Sequence, residues 1–118
     1  MQTPLQITLR DMEHSDALDQ HIREKAEKLD RLYPRLMGCR VVVEQQARHK
    51  QQGKQFAVGI DMTVPGKEIV VNRQHAEDPY VALRDAFDAA KRQLEEFSRA
   101  QRGEVKAHRP GAKPAEGE

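Results

Sequence analysis

The chain has 118 residues, with 20 Lys+Arg against 19 Asp+Glu, a formal net charge of +1, and 37% hydrophobic against 33% charged content. That length holds one domain with a single modest core, and the composition reads as a thin two-layer protein with much charged surface. Overall charge gives no vote for nucleic acid or membrane, so only its placement can, and Cys39 as the one cysteine excludes an internal disulfide and a cysteine-based zinc cluster.

The opening MQTPLQITLRDMEHS lacks a basic start, an apolar run and a cleavage site, so no signal peptide is expected. No stretch approaches the ~18 apolar residues of a membrane span, and a soluble cytoplasmic protein is the default expectation. Leu5, Ile7 and Leu9 alternate with Gln6, Thr8 and Arg10, the pattern of a short strand with one buried face. Ser15 then caps a helix, with Asp16 and Asp19 near its positive end. Leu18, Ile22, Ala26, Leu29, Leu32 and Tyr33 form its apolar stripe, and Pro34 stops it at Tyr33.

CRVVVEQQ (39–46) is β-branched and reads as a second strand with Val41 and Val43 inward. In QFAVGIDMTV (55–64), Phe56, Val58, Ile60 and Met62 share one face. Val64-Pro65-Gly66-Lys67 is a turn with Pro and Gly at their favoured central positions. KEIVVNRQ (67–74) returns as a fourth strand, with its register open: Ile69 and Val71, or else Val70, face the core. Asp78 caps a second helix and Pro79 sits in its first turn. Its apolar stripe is Tyr80, Leu83, Phe87, Ala90, Leu94 and Phe97, and it fades near Gly103. Residues 103–118, rich in Gly, Pro and charge, are expected to form a disordered tail after a domain spanning 1–102.

The order is therefore β-α-β-β-β-α. A right-handed first crossover makes strands one and two parallel, and the later strands meander antiparallel. An α+β fold with both helices packed on one face of a four-stranded sheet covers every apolar stripe at once.

Motifs for catalysis are missing. Gly53, Gly59 and Gly66 are isolated, there is no G-x-S-x-G or H-E-x-x-H, and His14, His21, His49, His75 and His108 lack ligand spacing. Neither a metal site nor a cofactor is expected. Cys39, at a strand start, reads as a small buried apolar residue rather than a nucleophile. Charge placement says more. At 100° per residue, His21, Lys25, Lys28, Arg31 and Arg35 share one flank of the first helix, interrupted by Glu24. Asp19, Glu27 and Asp30 lie toward the other flank, with Arg23. A row of cations one turn apart can track a phosphate backbone, although a solvated face is the simpler account of it. On the second helix Arg84, Lys91 and Arg102 share a line, with Arg92 and Arg99 further round. Asp88 and Glu95 lie close to that line, and the i,i+4 pairs Arg84–Asp88, Asp88–Arg92, Lys91–Glu95, Arg92–Glu96 and Glu95–Arg99 make this face at least as fit for stabilising decoration as for binding. Between strands two and three, Arg48, Lys50 and Lys54 with His49 and no acid make a positively charged hairpin end, which suits a solubilising loop and an anion contact equally. The five aromatics fit core positions, so contact with nucleic acid should be to backbone and shape rather than through stacked bases.

The order of elements resembles the ribosome hibernation-promoting factor family, which includes ribosome-associated translation inhibitors and proteins described as sigma-factor modulators. The resemblance covers about residues 5–102. It rests on QIT, on ALDQHIREKAEKLDRL (17–32), and most on EDPYVALRDAFDAAKRQL (77–94). There Asp78, Tyr80, Ala82-Leu83 and Arg92-Gln93-Leu94 look like the family's Asp-x-Tyr-x-Ala-(Ile/Leu) opening and later Arg-Gln-Leu. The resemblance implies a fold like a double-stranded-RNA-binding domain. It also implies binding of small-subunit ribosomal RNA in the decoding channel, which idles the ribosome, with neither catalysis nor cofactor. Lys25, Lys28 and Arg31 match the basic side of the first helix, and Arg92 matches the basic residue before Gln-Leu. Lys91, Arg99 and Arg102 occupy its neighbourhood. Glu95-Glu96 stand where relatives usually continue with Lys or Arg. The tail is shorter than the dimerisation domain of the family's long form, so direct ribosome pairing through such a domain is not expected. The rival expectation, prompted by Glu95-Glu96 and the near-zero net charge, is a protein-interaction module with this fold and no RNA binding.

Overall fold

A computed structural model describes residues 3–47 and 54–108. The elements are β1 (Leu5–Arg10), α1 (Asp16–Leu32), β2 (Gly38–Ala47), β3 (Lys54–Val64), β4 (Lys67–Ala76) and α2 (Pro79–His108). The sheet runs β1-β2-β3-β4 in space, β1 parallel to β2 and the remaining pairs antiparallel. This is the predicted α+β order.

Register explains the core. Leu5, Cys39, Met62 and Ile69 stand side by side across the sheet, as do Ile7, Val41, Ile60 and Val71. These rows form one cluster with Leu18, Ile22, Ala26 and Leu29 of α1 and Leu83, Phe87, Ala90 and Leu94 of α2, so both helices cover the same sheet face. α2 lies over β3 and β4, while α1 lies toward β1 and against α2.

The turn settles the fourth strand. Val64 pairs with Lys67, and Gly66 takes φ +84°, the positive value that the second central residue of a Pro-Gly type II turn needs. Ile69 and Val71 then face the core and Val70 is left 63% exposed. Past Ile60↔Val71 the pairing shifts to Val58↔Gln74, a bulge that puts an extra residue in β4. The core-facing parity moves from odd to even, and Ala76 rather than His75 meets the core. On the opposite face, Gly59 leaves room for the Arg73 side chain, whose Cγ lies 3.7 Å from where a Cβ would stand. Arg73 thereby crosses β3 to reach Glu44 of β2 at 3.1 Å.

Both predicted caps form. Ser15 Oγ accepts from the Leu18 amide at 3.2 Å, and Asp78 Oδ1 accepts from the Tyr80 amide at 2.7 Å. α2 does not fade at Gly103 but continues to His108. A single interior glycine costs a helix only about 1 kcal/mol, and residues 104–108 after it hold no further glycine or proline. The remainder of the expected tail lies outside the described residues.

Candidate nucleic-acid interface

The two helices run in the same direction. His21 near the start of α1 meets Tyr80 at the start of α2, ring centroids 4.9 Å apart and edge to face. At the far ends Tyr33 Oη donates to Gln101 Oε1 at 3.1 Å, and its ring packs edge to face on Phe97. The seam between them is therefore continuous, and side chains from the flanks of both apolar stripes project along it.

Midway, a groove of about 490 Å³ is bounded by Lys25, Lys28 and Arg31 from α1 and by Lys91 and Asp88 from α2, over Leu29, Leu32 and Phe87. Further along, a second groove of about 340 Å³ is lined by Leu32, Tyr33, Leu94, Glu95, Ser98, Arg99 and Arg102. The structure thus gathers Lys25, Lys28, Arg31, Lys91, Arg99 and Arg102 along one seam. Arg84 turns to its neighbour Asp85, with contacts of 3.2 Å from Nε and Nη2. Arg92 is exposed and lines neither groove. Arg48 and Lys50 lie outside the described residues. Lys54 opens β3 opposite Ala47, at the end of the sheet where both helices begin.

None of the expected i,i+4 ion pairs on α2 forms among the described residues. Lys25, Lys28, Arg31, Lys91, Arg92 and Arg99 have no carboxylate partner there, and Asp88 has no cationic one. An exposed i,i+4 pair yields only a few tenths of a kcal/mol against the rotamer freedom of two long side chains, so spacing alone does not enforce it. Pairing occurs instead on the other flank of α1, where Arg23 meets Asp19 at 2.8 Å and Thr3 donates to Asp30. Acids are thus engaged on one side of α1 while the seam-side cations stay free.

Two residues assigned to apolar stripes are not core residues. Tyr80 is 40% exposed and Leu32 is 42% exposed. Both lie at the stripe edge facing the seam, where the facing helix does not close over them. The apolar floor of the first groove and the presence of Asp88 in its wall are the features that sequence periodicity missed. The only signal was that Leu32 and Asp88 sit where an apolar stripe meets a basic line. The histidine beside Tyr80 is also shaped by the seam. Burial, and then the charge of Lys25, lower the His21 pKa, and its Nε2 has no hydrogen-bond partner among the described residues. No group of acidic, histidine or cysteine side chains among the described residues is arranged to hold a metal ion.

Residues 5–102 match the family model described as Sigma 54 modulation protein / S30EA ribosomal protein. A comparison with curated proteins finds no match. Among solved structures, the chain is similar to a ribosomal subunit interface protein from Coxiella burnetii, with TM-score 0.69 and 14% identity over 81% of this chain and 98% of that one. It is also similar to the N-terminal domain of Protein Y from Thermus thermophilus, with TM-score 0.62 and 23% identity over 80% of this chain and 98% of that one. At these identities the two structures speak for the fold.

Proposed function

The chain belongs to the Sigma 54 modulation protein / S30EA ribosomal protein family, that of the hibernation-promoting factors, and on that premise we propose that it is a cytoplasmic translation regulator that binds small-subunit ribosomal RNA near the decoding channel and promotes ribosome hibernation. The observation that carries the reading is the seam between α1 and α2, where Lys25, Lys28, Arg31 and Lys91 converge without carboxylate partners among the described residues. A net charge of +1 gives no general attraction to a polyanion. Cations sorted onto one seam do, because each phosphate neutralised releases condensed counterions. Both helices present that seam from a rigid sheet, which suits recognition of backbone and shape. Arg92, Arg99 and Arg102 extend the contact along α2, and Arg48, Lys50 and Lys54 supply further cations to it. The reading requires neither catalysis nor a cofactor.

Co-sedimentation with purified ribosomes through a sucrose gradient, at low and raised salt, tests this. The expected result is stoichiometric binding to the small subunit or whole ribosome that weakens steeply with salt. Lys25→Glu, Lys28→Glu and Lys91→Glu together should abolish it while circular dichroism remains native. Folded wild-type protein that fails to bind at low salt would instead put the protein-interaction module first, and copurification of one protein from RNase-treated extract would then be sought.

A further inference from the structure

We propose that the groove midway along the seam receives one unpaired guanine nucleotide of an RNA strand, its phosphate held by the groove's cations and its base read by Asp88. The inference rests on the RNA-binding reading above and specifies what this part of the site selects.

Three features of the groove point the same way. Its volume of about 490 Å³ falls within the range of clefts that hold small ligands, roughly 300–1,000 Å³. A surface that met only phosphates would need cations alone, but this floor is apolar and includes Leu32, a large side chain left 42% exposed between lysines. A base plane laid against Leu32 removes that surface from water, and the lysine stems flank it. Splayed single-stranded bases are the parts of RNA whose faces and Watson–Crick edges are open to a protein.

Asp88 supplies the choice among bases. It lines the same groove as Lys25, Lys28, Arg31 and Lys91, yet pairs with none of them. A carboxylate facing a phosphate would repel it, so its presence among cations favours an edge that donates. An ionised carboxylate only accepts hydrogen bonds. Guanine presents N1–H and N2–H side by side and can donate both to one carboxylate. Adenine and cytosine each pair their amino group with an adjacent ring acceptor, and uracil flanks N3–H with two carbonyl oxygens. Guanine is therefore the base that satisfies Asp88 without setting an acceptor against it.

Fluorescence anisotropy of the full chain with labelled RNA hexanucleotides tests the proposal at low salt, using hexauridylate and its variants carrying one central G, A or C. The expected result is binding about tenfold tighter for the G-containing strand, within the discrimination of one bidentate contact. In Asp88→Asn, which offers a donor in place of one acceptor, the preference for G should vanish. Equal affinity for all four strands overturns the proposal, as does an absence of binding to any of them or a G preference that survives in Asp88→Asn. Wild-type co-sedimentation with ribosomes separates the two levels. Salt-sensitive ribosome binding with no base preference removes the guanine site alone. No ribosome binding with an Asp88-dependent G preference removes the ribosome reading and keeps the site.

Discussion

Cys39 stands in the core row of β2 beside Met62, and burial, with Asp61 adding, pushes its thiol pKa up to about 12. A thiol so held is neither ionised nor accessible near neutrality. Ellman's reagent at pH 8 should therefore react with native protein far more slowly than with protein unfolded in guanidinium; equal rates would show that β2 opens readily. The strand position had already marked Cys39 as a buried apolar residue. His21 carries the opposite lesson. Its environment arises from Tyr80, which lies far off in sequence, and from Lys25, Glu24 and Lys28 on its own helix. Its folded-state pKa lies below the ordinary histidine value of 6.5, so below that pH the unfolded chain binds a proton that the folded chain resists. Stability should fall as pH drops through and below 6.5, and His21→Gln should flatten that part of the Tm-against-pH curve. Superimposable curves for the two proteins would refute it.

At the scale of single elements, local chemistry was readable wherever it acts through neighbouring residues. Ser15 and Asp78 cap helices because their side-chain oxygens reach amides two or three residues ahead, and nothing distant competes. Gly66 was legible in the same way. Gly66→Ala forces a side chain into φ +84° and should destabilise by roughly 1 kcal/mol, read as a lower urea midpoint at unchanged m-value. The bulge in β4 was not legible, since it answers to the partner strand and to the crossing of Arg73 over Gly59. On α2, Glu95 lines the second groove with Arg99 and Arg102. If RNA runs along the seam, that carboxylate opposes it. Glu95→Gln should tighten ribosome binding several-fold at low salt, and unchanged affinity would mean that the RNA stops short of the second groove.

For the molecule as a whole, the parallel course of α1 and α2 converts two separate basic flanks into one seam. Each flank alone was compatible with a solvated surface, and the α2 flank looked self-neutralised. Their meeting is what makes a candidate site of them. The prediction at this scale concerns salt. Log affinity for ribosomes should fall linearly with log salt, and Lys28→Ala should make that slope shallower by roughly 0.7–0.9, the yield of one lost phosphate contact. A Lys28→Ala slope equal to that of wild type would take this residue out of the interface. Leu94→Ala, at a buried position on the core face of α2, should instead lower stability by about 2–5 kcal/mol and leave the salt slope of the folded protein unchanged.

The sequence by itself determined the elements, their order, the caps, the inward faces of β1, β2 and β3, and the family resemblance that the match over residues 5–102 bears out. These follow from periodicity and from contacts a few residues long, so the chain writes them locally. The tertiary structure decided the face of β4, the exposure of Leu32 and Tyr80, the freedom of the seam-side cations, and the groove that brings Asp88 among them. Each of these depends on which side chains another element covers or leaves open, and α1 and α2 meet only because the sheet between them in sequence carries both on one face.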